Sequence, residues 1–72
     1  MIPFKFKGYD VTVEGVITPS TDCIKFSFSN GIDDNSYFLK LNTTDDKKWH
    51  NVVNKIKRSI NDRIRYLKQT TN

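Results

Sequence analysis

The sequence predicts an α+β fold: a four-stranded antiparallel β-sheet followed by one long C-terminal amphipathic α-helix, in the order ββββα. Three observations carry this expectation. Apolar and polar residues alternate through four short runs in the first part of the chain. Clusters of Gly, Pro, Asn, Asp and Ser separate those runs. Beyond residue 44 the alternation gives way to apolar residues at three- and four-residue spacing, the period of one helix face. Strands joined by short turns favour an antiparallel meander with one covered face. The 72 residues have room for one domain, with the sheet over about residues 2–42 and the helix over about 44–68. A core this small has little margin over the entropy of ordering the chain, so a homodimer is expected to complete it.

In the first strand, IPFKFK, Ile2, Phe4 and Phe6 alternate with Lys5 and Lys7. Gly8-Tyr9-Asp10 reads as a turn. In DVTVEGVIT, Val11 and Val13 continue the covered face until Gly15 interrupts the alternation, the mark of a bulge or sharp bend. After Pro19-Ser20-Thr21-Asp22, the run CIKFSFS turns Ile24, Phe26 and Phe28 inward and Cys23, Lys25, Ser27 and Ser29 outward. NGIDDNS is the longest polar connection, and YFLKLN is the fourth strand, with Leu39 and Leu41 inward.

The stretch KLNTTDDKKWHNVV, residues 40–53, is where strand becomes helix. Thr43 or Thr44 is a candidate cap, and Asp45 and Asp46 fall in the first turn, where carboxylates favour the positive end of the helix dipole. Trp49, Val52, Val53, Ile56, Ile60, Ile64 and Leu67 form one stripe. A helix of this length spans about 35 Å, longer than ordinary strands. The far end of the stripe, Ile60, Ile64 and Leu67 with Arg63 at its edge, is therefore expected to overhang the sheet and form the dimer interface.

Composition narrows the function classes. A hydrophobic content of 36% with nine aromatic residues supports a folded core. Cys23 is the single cysteine and cannot form an internal disulfide, and the start MIPFKFKG is too short and charged for a signal peptide, so a cytoplasmic protein is expected. No apolar run approaches the roughly 20 residues of a membrane span. His50 lies off the helix stripe and far from Cys23, and neither a glycine-rich phosphate loop nor metal-ligand spacing is present. No enzyme activity, cofactor or metal is expected. Asp33-Asp34-Asn35 lacks the further oxygen ligands of a calcium loop and reads as an acidic turn.

Charge is divided along the chain. Residues 1–46 carry four lysines against seven carboxylates, whereas residues 47–72 carry eight lysines or arginines against Asp62 alone. Such asymmetry points to a polyanion or an acidic protein surface as partner. When the strand phases are combined, the face turned from the helix carries Lys5, Lys7, Thr12, Lys25, Ser27, Phe38, Lys40 and Asn42, with Glu14 as its one carboxylate. Lysines neutralise phosphates and an exposed ring stacks on a base, so Lys5, Lys7, Lys25, Phe38 and Lys40 are the candidate site for single-stranded nucleic acid. Tyr9 and Tyr37 are expected near this surface.

Four strands leading through LKLNTTDDKKWHNVV into a terminal amphipathic helix resemble the positive cofactor four family of transcriptional coactivators and their bacterial and phage relatives. The resemblance rests on the strand ending in Leu41-Asn42, the short polar cap, Trp49 early in the helix, and the series Val53, Ile56, Ile60 and Ile64. It implies a curved sheet that binds single-stranded DNA through Lys5, Lys7, Lys25, Phe38 and Lys40, a helix that packs into a homodimer, and a role in transcription regulation. The arm-site domains of some integrases are similar in layout, with a sheet that enters a duplex groove. The leading expectation is thus a small, dimeric, non-enzymatic protein that binds single-stranded DNA or RNA. The alternative is a phage or mobile-element module that docks onto and modulates a host protein.

Overall fold

The computed structural model describes residues 3–70, with Ile2 of the expected first strand lying outside them. The architecture is the expected one: β1 (Phe4–Phe6), β2 (Tyr9–Glu14), β3 (Cys23–Ser29) and β4 (Asp34–Lys40) precede α1 (Trp49–Thr70). The strands lie in the order β1-β2-β3-β4, each antiparallel to its neighbour, and the helix covers one face.

Lys7 and Gly8 join β1 to β2, with φ angles of 50° and 84°. Two positive φ values in a two-residue connection are the signature of a type I′ turn, whose twist matches that of the strands it joins. The turn therefore lies earlier than Gly8-Tyr9-Asp10. Tyr9 pairs with Phe6 and Asp10 with Lys5 inside the ladder. At the far end of β2, Gly15 has a φ of 91° and bends the chain away, so the strand stops at Glu14, where the alternation is interrupted.

The core is one cluster of Tyr9, Val11, Ile24, Phe26, Phe28, Leu41, Val52, Ile56 and Ile60. Alternate residues of β2 and β3 supply the sheet side, and positions 52, 56 and 60 supply the helix side by four-residue spacing. Phe26 and Phe28 are stacked at 6.2 Å, and Tyr9 meets Phe28 edge-on at 5.1 Å. These contacts add to the burial of large rings in a core with few members.

The helix begins at Trp49, later than expected. Thr44 leads into a short 3-10 helix, Asp45–Lys47, without making a side-chain cap. The carboxylate of Asp46 folds back and accepts the N–H groups of Asn42 at 2.8 Å and Thr43 at 3.1 Å. Lys48, with a ψ of 134°, is extended and separates the two helices. Its carbonyl accepts the N–H groups of Asn51 and Val52, both at 3.0 Å, which starts α1. The ring of Trp49 stands edge-on to Phe4 at 6.5 Å.

Two of the expected dimer-interface residues are engaged within the chain. Ile60 is fully buried in the core, because the helix crosses the sheet further along than strand lengths implied. Arg63 turns back and forms a two-pronged ion pair with Asp33 on the β3–β4 connection. Ile64 packs on the margin of the core, and Leu67 is half-buried beside Lys7, Tyr9 and Asn30. The end of the helix stripe thus lies over the two hairpin turns.

Ile56 touches the cluster from the middle of the helix and is fully buried. Ile56→Val is expected to lower stability by about 0.5–1.5 kcal/mol and Ile56→Ala by about 2–5 kcal/mol. Urea unfolding followed by circular dichroism measures both, and the alanine variant is expected to be largely unfolded at 37 °C.

Candidate functional site

The face of the sheet turned from the helix is ordered in rows by strand register. At the end that carries the hairpin turns, Lys5 stands beside Asp10, Asp10 beside Ser29, and Ser29 beside Asp34. The next row is Thr12, Ser27 and Ser36, and the one after it is Glu14, Lys25 and Phe38. Cys23 and Lys40 close the face.

This arrangement corrects the expectation of a basic outer face. Asp10 and Asp34 belong to β2 and β4 rather than to turns, and their side chains share the outer face with Glu14. Three carboxylates therefore balance Lys5, Lys25 and Lys40. Lys5 is itself 3.7 Å from Asp10, in an exposed pair of small energetic weight. Small hydroxyl side chains in the middle row leave a shallow recess of about 420 Å³ between the charged rows, lined by Asp10, Thr12, Ser27, Ser29, Asp34 and Ser36. Ser29 Oγ donates to the carboxylate of Asp34 within it.

Lys7 is not on the outer face. The left-handed turn carries its ammonium group to the helix, where Nζ donates to Oδ1 of Asn61 at 2.6 Å and lies 5.4 Å from the centre of the Phe6 ring. Tyr9 and Tyr37 also belong to the inner side. Tyr9 is 3% exposed, and Tyr37 pairs with Phe26 and contacts the rings of Phe26 and Phe28. Phase explains both: Tyr9 is two residues before Val11, and Tyr37 is two residues before Leu39.

Of the five expected site residues, the register brings together Lys25, Phe38 and Lys40. Phe38 stands directly opposite Lys25 on the neighbouring strand and is 74% exposed. The Lys25 ammonium lies 6.0 Å from the centre of the Phe38 ring, at the limit of a cation–π contact. Lys40, two residues along β4, points to the same side. Neither lysine has an ion pair among the described residues. The corner thus offers one exposed aromatic ring between two available cations, with Glu14 on its far flank.

A second constellation was invisible to pattern reading. Asp33, half-buried in the β3–β4 connection, accepts from the Tyr9 hydroxyl at 2.7 Å, from Asn35 Nδ2 at 3.0 Å, and from Arg63 Nε and Nη2 at 3.1 and 2.9 Å. The Arg63 guanidinium, aided by Tyr9 and Asn35, holds this carboxyl far below the usual carboxylate range. Burial, followed by the hydrogen bond to Asp33, pushes the Tyr9 phenol up. With both carboxylate oxygens accepting from these donors, Asp33 ties β2, β4 and α1 together. Asp46 is likewise lowered, chiefly by the Lys55 ammonium at 3.0 Å and then by the N–H of Asn42.

His50 and Cys23 are both exposed, on α1 and at the start of β3. Among the described residues, no group of three or more His, Cys, Asp or Glu side chains is placed to hold a metal ion, and no helix is long and apolar enough to cross a membrane. No protein-family model, curated protein or solved structure matches the chain.

Asp33 and Asp46 both have folded-state pKa values below the unfolded value of about 3.9. In the window between the two values the unfolded chain binds more protons, so stability rises with pH there. Their contribution is complete above that window and is lost as pH falls through it. Urea midpoints measured from neutral pH down to about pH 2 are expected to drop below about pH 4. Asp33→Asn is expected to lower the neutral-pH midpoint and to flatten that acid limb, because the titrating partner of Arg63 is gone.

Proposed function

We propose that the protein binds single-stranded nucleic acid, DNA or RNA, at the corner formed by Lys25, Phe38 and Lys40. The observation that carries the reading is Phe38, an aromatic ring in the middle of a strand, 74% exposed, with an ammonium group on its paired neighbour. A ring in that position adds little to the core. It supplies a face on which a base stacks, while Lys25 and Lys40 neutralise the adjoining phosphates. The corner is small, so the site engages one or a few nucleotides rather than a long strand across the sheet. The exposed cations of α1, including Arg58 and Arg65, would add sequence-independent attraction to the same polyanion. The resemblance to the positive cofactor four family supports the same class of ligand, and a role in transcription regulation follows from that resemblance alone.

A second reading is docking onto a host protein by a phage or mobile-element factor. The balanced charge of the outer face, with Lys5, Lys25 and Lys40 set among Asp10, Glu14 and Asp34, favours it, because mixed charges in a fixed pattern suit a complementary protein surface better than a uniform polyanion. Recovery of one host protein after nuclease treatment, lost on charge reversal of Lys25 or Asp34, would select this reading.

Titration of single-stranded oligonucleotides at several salt concentrations tests the first. Phe38→Ala is expected to weaken binding by about 1–3 kcal/mol. Lys25→Ala and Lys40→Ala are each expected to reduce the slope of log affinity against log salt by about 0.7. Lys7→Ala is expected to leave the slope unchanged, because its ammonium is held by Asn61. Undetectable binding at low salt, or an unchanged affinity for Phe38→Ala, overturns the proposal.

A further inference from the structure

The two edges of the sheet are built differently. β1 has three residues, follows Pro3, and is flanked by Trp49, Val53 and Lys57 of the helix. Short length and proline are ordinary ways to blunt an edge. β4 has seven residues, Asp34–Lys40, contains no proline, and pairs with β3 in unbroken register.

Which main-chain groups of β4 are unused follows from the ends of the ladder. Leu41 N–H donates to Asp22 O at 2.9 Å, and Asn30 N–H donates to Asp33 O at 3.3 Å. Hydrogen-bonded and non-bonded pairs alternate along an antiparallel ladder. Asn35, Tyr37 and Leu39 therefore direct their main-chain groups to β3. Asp34, Ser36, Phe38 and Lys40 direct theirs away from the sheet.

We propose that this edge is where two copies of the chain associate, β4 against β4, antiparallel about a two-fold axis at Tyr37. The side-chain pattern of the strand is complementary to itself in that register alone. Asp34 falls opposite Lys40 of the second copy, and Lys40 opposite its Asp34, on the same outer face. Ser36 falls opposite Phe38, and the two Tyr37 rings meet on the helix side. A shift of two residues, the smallest that keeps the faces matched, separates both charge pairs. Parallel pairing would set like charges side by side. The four outward residues of each strand exchange about eight main-chain hydrogen bonds across the junction. Tyr37, 43% exposed at the rim of the recess it shares with Ser59, Asp62, Arg63 and Tyr66, gains a ring partner at the closely spaced, non-bonded position.

This association differs from the one expected from the helix stripe, where Ile60 and Arg63 are already occupied. It shares Lys40 with the proposed nucleic-acid corner, and solution mass, read without ligand, tests the association separately from that binding. Sedimentation equilibrium of the full chain from about 1 μM to about 1 mM is expected to show a monomer–dimer equilibrium. Ser36→Pro removes an N–H that the β3 ladder does not use, and is expected to leave a folded monomer by circular dichroism. Asp34→Lys is expected to dissociate the dimer by setting lysine against Lys40 of the second copy, and the double variant Asp34→Lys with Lys40→Asp is expected to restore it. A monomer at every concentration overturns the proposal and leaves the edge to a strand of a different protein. A dimer that survives both Ser36→Pro and Asp34→Lys overturns it as well, and places the contact elsewhere.

Discussion

Everything in this molecule depends on one side of one sheet being covered by one helix. Val52, Ile56 and Ile60 are fully buried against Val11, Phe26 and Phe28, and the described residues form one sheet and one long helix to share the burden. A domain of this size buries a modest fraction of its unfolded surface, so each large side chain in the cluster is a sizeable part of the total. The same constraint leaves the opposite face of the sheet uncovered by the helix. Function, where it uses the sheet, uses a surface that the core does not need.

A helix on a flat apolar layer has few features to set its angle and depth, and here polar contacts at both ends supply them. At one end Arg63 reaches from α1 to Asp33, which also receives Tyr9 from β2 and Asn35 from β4. At the other, Lys55 reaches Asp46, whose carboxylate already holds the main chain at Asn42 and Thr43. Asp33 collects donors from segments distant in the chain, whereas Asp46 ties together the strand-to-helix junction and the first turns of α1, and partial burial strengthens such networks. Hydrophobic packing thus brings the layers together, and the two acids define where they stop.

The outer face shows how register turns a list of charges into a pattern. The acidic residues of the first half are not set aside in turns. Asp10 and Asp34 stand in the row of Lys5, and Glu14 stands in the row of Lys25 and Phe38, so the face is divided between an acidic, hydroxyl-lined end and a corner with two lysines and a ring. That division confines the favourable place for a polyanion to a small area. It also gives β4 a carboxylate at one end and an ammonium at the other.

Properties repeated along the chain were legible in the sequence. Alternation in CIKFSFS and the four-residue spacing from Val52 to Ile60 determined the strands, the helix and the faces they bury, because periods of two and 3.6 are local consequences of backbone geometry. The same rule, extended from Phe38 back to Asp34, would have moved that carboxylate from turn to strand. What the tertiary structure decided was which distant residues became neighbours. The I′ turn at Lys7 and Gly8 moved Tyr9 into the core and Lys7 to the helix, and the closing of Arg63 on Asp33 took both partly out of the solvent. Local periodicity states which side a residue occupies; the pairing of strands and layers sets its neighbours, and charge acts between neighbours.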